Sequence, residues 1–91
     1  MPTVTKQEAL IAKEVRRTVR EAARLHKQRD QLAKAIKRHE NYAANCFLQQ
    51  HRLQADANLL VYADAYRRSG QTYLLKSTQL AAELAALSPS A

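Results

Sequence analysis

From Thr5 to Arg68 the chain holds no glycine and no proline, and apolar residues step through it at alternating intervals of four and three. Ile11, Val15, Ala22, Leu25, Leu32 and Ile36 open the series, and Ala43, Cys46, Leu53, Ala57 and Leu60 continue it in one phase. This is a heptad pattern, which an α-helix presents as a single apolar seam. The expected fold class is therefore all-α. A long amphipathic helix over residues 5–68 and a short C-terminal helix over 72–87 make one helical domain, 1–91, built as a helical bundle or coiled-coil oligomer.

The ends of these helices carry signals of their own. Thr5, Lys6, Gln7 and Glu8 match the capping box, in which the threonine hydroxyl accepts from the amide three residues on. Arg67, Arg68, Ser69 and Gly70 read as a helix end, with cations in the last turn and the chain's one glycine after them. The C-terminal helix puts Tyr73, Leu74, Leu80, Leu84 and Leu87 on its apolar face, and Ser88 and Pro89 stop it. Met1 to Val4 are a short frayed lead. The stretch from His39 to Asn45 is ambiguous. Asn41 and Asn45 suit a turn, whereas the unbroken heptad phase favours a continuous helix. A continuous helix would be about 95 Å long at ~1.5 Å per residue and would need a partner chain, while a break at 40–45 would fold the halves into a hairpin.

Counting Val15 as position a and Ile11 as d, the seam residues are Ile11, Val15, Ala22, Leu25, Leu32, Ile36, Leu53 and Leu60. Ala12, Val19 and Ala33 at e widen the stripe, which suits a bundle better than a bare two-stranded coil. Positions f, b and c carry Lys13, Arg16, Arg17, Arg20, Arg24, Lys27, Lys34, Lys37 and Arg38, a cationic outer face opposite the seam. Glu14 and Glu21 at g flank the seam, where they can pair across an interface; Arg17 with Glu21 and Asp30 with Lys34 are also spaced for pairing along the helix. Thr18, Arg29, His39 and Gln50 interrupt the seam, and Arg29 needs an acid on a neighbouring helix or a route to solvent. Beyond Tyr42 the character changes: residues 57–66 are apolar nearly all round, as expected of a stretch packed on several sides in the core of the protein or of its oligomer.

The net charge of +7 is concentrated, with eleven Lys and Arg against five acids in residues 1–40 and four against three in the remainder. A chain of 91 residues is near the size at which burial alone barely sustains a fold, so self-association is expected. The single cysteine, Cys46, forms no intrachain disulfide, and with no secretory signal the expected compartment is the cytoplasm. The arginine-rich start would suit a mitochondrial presequence, but Glu8, Glu14 and Glu21 stand among the cations, and such presequences are poor in acids. No run approaches the ~20 apolar residues that span a bilayer.

Chemistry finds little material here. His26, His39, Cys46 and His51 lack metal-ligand spacing, and one glycine cannot build a phosphate-cradling loop, so no metal, cofactor, small-molecule substrate or catalytic residue is expected. Cys46 reads as a small core residue. Tyr42, Tyr62, Tyr66 and Tyr73 lie away from the basic stripe, which points to packing rather than to stacking on bases. The basic face itself can keep an oligomer soluble, dock an acidic protein surface, or contact DNA or RNA phosphates with little sequence specificity. A membrane-surface role is disfavoured, because residues 1–40 contain neither tryptophan nor phenylalanine opposite the stripe. The expectation is a homo-oligomeric, non-enzymatic interaction protein with an acidic macromolecular partner.

Overall fold

The computed structural model describes residues 5–87. These form an antiparallel helical hairpin: α1, Lys6–Leu53, then a single 3₁₀ turn at Ala57–Leu59, then α2, Leu60–Leu87. Its extents, 84 × 24 × 16 Å, are those of a thin rod. Ser88 and Pro89, read as the helix stop, and the lead from Met1 to Val4 lie outside the described residues.

α1 begins where the capping box places it. Thr5 is extended, and its hydroxyl accepts from the Glu8 amide at 3.2 Å. The helix then passes through Asn41 and Asn45 without interruption, since two asparagines in helical φ/ψ cost only a few tenths of a kcal/mol each against a continuous seam. It ends at Leu53, well short of Arg68. Among residues 54–59 no backbone adopts positive φ. The reversal is made instead by Asp56, which leaves the helical region (φ −115°, ψ 116°) and caps the 3₁₀ turn, its carboxylate accepting from the Asn58 amide at 2.9 Å. No break occurs at Gly70, which lies inside α2.

The seam of α1 keeps the heptad phase. Leu25, Arg29, Leu32, Ile36, His39, Ala43, Cys46, Gln50 and Leu53 are all buried or half-buried. α2 answers with Ala63, Gly70, Tyr73, Ser77, Leu80, Leu84 and Leu87, a heptad series whose phase differs from that of α1 because of the intervening turn. The pairings run in opposite senses: Arg29 meets Leu87, His39 and Tyr42 meet Tyr73, and Phe47 meets Gly70. Leu60, expected in the seam, is 51% exposed and lies outside it. Nor is the apolar stretch 57–66 a core of the hairpin. Ala63 alone is buried there, while Val61 is 80% exposed and Tyr62 and Tyr66 also face out.

Two further features set the spacing of the helices. Small residues, Ala63, Gly70 and Ser77, recur every seventh position of α2, and Ala43 and Cys46 face them from α1; all five are buried. At Gly70 the approach is closest: a Cβ there would stand 2.8 Å from Phe47 Cε1 and 2.9 Å from Cζ. At the open end, the Arg29 Nη2 donates to the Leu87 carbonyl at 3.0 Å, placing a cation on the last carbonyls of α2, where the helix dipole favours it. Arg29 thus reaches the neighbouring helix but finds a carbonyl rather than an acid, and its Nε is buried without a hydrogen-bond partner.

The close approach generates a signed prediction. Gly70→Ala gains about 1 kcal/mol of helix propensity but overpacks the Phe47 ring, at a cost of about 1–3 kcal/mol, so it should lower the melting temperature. In a Phe47→Ala background the clash is gone, and the same substitution should raise it. Thermal melts of the four proteins check the reversal of sign; an unchanged sign would show that the ring does not limit the approach.

Candidate functional site

The two helices differ in length by twenty residues, 48 against 28, and this governs the surface. α2 ends beside Arg29, so α1 runs on past it: from Thr5 to Arg24 every residue is exposed. That extension, about 28 Å long at ~1.5 Å per residue, carries six cations and three acids. The cations do not arise from a local accident of folding. They occupy the f, b and c positions, which the 3.6-residue period turns away from the seam.

All nine residues expected to contact a partner are exposed on this outer side of α1: Lys13, Arg16, Arg17, Arg20, Arg24, Lys27, Lys34, Lys37 and Arg38. The first five lie on the extension and the last four beside α2. Arg17 sits between Glu14 and Glu21, 3.9 and 3.7 Å from their carboxylates, and Lys34 is 3.0 Å from Asp30. The acids at g therefore pair along their own helix. No ion pair reaches the other seven among the described residues.

α2 handles its cations differently. Asp64 accepts from Arg67 Nε at 3.1 Å and pairs with Arg68 Nη2 at 2.7 Å, so one carboxylate serves both arginines. Hydrogen bonds from Arg67, together with the charge of Arg68, hold the Asp64 carboxyl below its ordinary value of 3.8, partial desolvation opposing them. Unneutralised positive charge is thereby left mainly to α1.

The eight residues expected to form an oligomer seam divide into three groups. Leu25, Leu32, Ile36 and Leu53 are spent inside the hairpin, facing α2. Ile11 and Val15, each 56% exposed, and Ala22 lie on the extension, where no helix covers them among the described residues. Leu60 belongs to an outer apolar stripe of α2, with Val61, Leu74 and Leu75, which the one-phase reading missed. Counting the heptad from Ala63 rather than from Val15 would have found it, but only the turn at Asp56 reveals that a new count is needed.

The remaining candidates are a cysteine, a histidine and the tyrosines. Cys46 is a buried free thiol in the seam. His39 Nδ1 donates to the Ala35 carbonyl at 2.8 Å, and its ring packs against Tyr42 and Tyr73, whose own centroids are 5.3 Å apart. Tyr42 and Tyr73 therefore join the two helices, whereas Tyr62 contributes to the exposed stripe. Among the described residues no three His, Cys, Asp or Glu side chains group as metal ligands, and no helix is long and apolar enough to cross a membrane. An apolar groove of about 510 Å³ opens where α2 stops, between Leu32 and Gln28 on one side and Glu83 and Leu87 on the other. Neither a family model, nor a curated protein, nor a solved structure matches the chain.

The Asp64 clamp has a definite pH dependence. A carboxyl whose pKa is depressed by folding stabilises the fold above its unfolded pKa, and that contribution is lost as pH falls through the folded value. Wild type should accordingly lose more stability than Asp64→Asn on going from neutral pH to below 3.8, and melts across that range check it. Parallel pH profiles would assign the clamp no role in stability.

Proposed function

We propose that the chain is a small, non-enzymatic, cytoplasmic interaction protein that self-associates through its heptad seam and presents the basic face of α1 to an acidic protein surface. One observation carries this reading: α1 projects beyond α2 as a helix with cations on its back, of which Arg17 alone is paired with acids among the described residues. A protruding helix with unneutralised charge raises the rate and specificity of encounter with an oppositely charged surface. Isolated surface cations add little stability to a fold, so seven of them on one face are better explained by a partner than by the hairpin. The same face would bind nucleic acid by phosphate contact, without sequence preference, because the chain carries no recognition module for a base. The acids among the cations, Glu14, Glu21 and Asp30, favour a protein over a uniform polyanion.

Reversal of charge at the centre of the face tests the reading. The triple variant Arg20→Glu, Arg24→Glu, Lys27→Glu leaves the α1/α2 seam untouched and should keep its helical circular dichroism while losing binding. The wild-type protein, purified from its own host, should carry a defined acidic protein that the triple variant does not. Labelled random-sequence duplex and single strands, titrated at low and moderate salt, decide the alternative. Tight retention that falls steeply with salt, in the absence of any protein partner, would assign the face to nucleic acid; retention of neither would reject both.

A further inference from the structure

The seam of α1 is longer than the helix that covers it. Leu25 to Leu53 face α2, but the phase continues outward through Ala22, Thr18, Val15 and Ile11 with nothing opposite among the described residues. Leu10, Ile11, Val15 and Val19 are more than half exposed, on a helix whose first nineteen residues have no tertiary support from the described residues. A lone helix of that length is marginal in water, and its stability normally comes from a packed apolar face.

We propose that a second copy of this chain covers the open seam, the two α1 extensions packing antiparallel about a two-fold axis between Val15 and Thr18. The inference rests on the self-association in the proposed function and says which surface performs it. Three observations select a second copy as the occupant. The first is continuity: the open positions are an extension, in unbroken phase, of the interface already formed within the hairpin.

The second is fit. Antiparallel heptads mesh when a positions face d positions, which here sets Ile11 against Ala22 and Val15 against Thr18 of the other copy, a larger side chain against a smaller one in each layer. The next register inward, one heptad further, would drive the incoming Lys6 toward residue 34 and into the end of α2, which occupies the seam at Arg29. The register centred between Val15 and Thr18 is therefore the deepest one possible. It fills the open seam from Leu25 outward and stops at the step where α2 ends. It also sets Glu8, at an a position, against Leu25 of the other copy, one helical turn short of Arg29, whose Nε is buried and lacks an acceptor.

The third is charge. The cations of the extension stand at b, c and f, away from the seam, and the two acids that flank it, Glu14 and Glu21, are already held by Arg17. Like charges therefore line the outside of the dimer instead of its interface. Pairing doubles the cationic face offered to an acidic partner, which raises avidity without a new contact.

Mass measurement by light scattering or sedimentation equilibrium tests the proposal on the whole chain. Wild type should show twice the 10.3 kDa chain mass. Val15→Asp should give the chain mass while keeping the unfolding transition of the hairpin, since that side chain does not touch α2. Arg20→Glu, on the outer face, should remain dimeric. Because the extensions repel one another, the dimer should tighten as salt rises from roughly 20 to roughly 200 mM, the range over which exposed charges become screened. Binding of an acidic partner should weaken over the same range. Orientation is read in a Cys46→Ala background: Val15→Cys and Thr18→Cys chains should form a disulfide dimer when mixed and not when oxidised separately.

A monomeric wild type at all concentrations and salts overturns the proposal, as does a disulfide dimer of Val15→Cys alone, which would mean parallel helices. A dimer that survives Val15→Asp also overturns it, while leaving self-association standing and transferring it to another surface such as the Val61 and Leu75 stripe. A partner that binds irrespective of Arg20, Arg24 and Lys27 would instead remove the docking reading and leave this dimer intact.

Discussion

The close contact between α1 and α2 at Phe47 and Gly70 is the constraint on which the hairpin depends. A two-helix unit has only one interface with which to offset the conformational entropy of its chain. Here that interface is narrow: among the described residues no large side chain is fully buried, and the buried apolar ones are Ala43, Cys46, Ala63 and Leu80. Small residues let the helix axes approach, so that dispersion between backbones and rings partly replaces the bulk that a larger core would supply. The Phe47 ring lies over the one position of α2 with no side chain, and the His39, Tyr42 and Tyr73 rings fill the next layer.

From that contact the division of α1 into covered and open surface follows. It fixes which residue of α2 stands beside which residue of α1, and hence that α2 is exhausted at Arg29. Thr5 to Arg24 is then extension, with the apolar seam on one side and the cations on the other. The capping of the last α2 carbonyl by Arg29 marks this boundary chemically. The same geometry separates two kinds of positive charge: Arg67 and Arg68 are tied to Asp64 on α2, whereas most of the cations of α1 are left to solvent.

Much of this was legible in the order of the residues. The helical class, the Thr5 cap, the α1 seam from Leu25 to Leu53, the outward placement of the basic residues and the Arg17 and Lys34 ion pairs all follow from local spacing. The turn was not legible. A reversal without glycine, proline or positive φ leaves no compositional mark, and a single Asp56 cap lies inside a run whose apolar spacing is undisturbed. Gly70 misled in the opposite direction, because a glycine required for close approach cannot be told by sequence from one required at a helix end. Misplacing the turn by more than ten residues put Leu60 in phase with the α1 seam and allowed residues 57–66 to be a core of the single chain.

The sequence by itself determined that this chain is helical, that α1 has an apolar seam and that its basic residues lie opposite, since these depend only on the 3.6-residue period. Tertiary structure alone decided how much of the seam is used. Where the chain turns sets the length of α2, and the length of α2 sets which heptads are covered and which stay open. That outcome depends on contacts between residues up to 58 positions apart, such as Arg29 with Leu87, which no local pattern encodes.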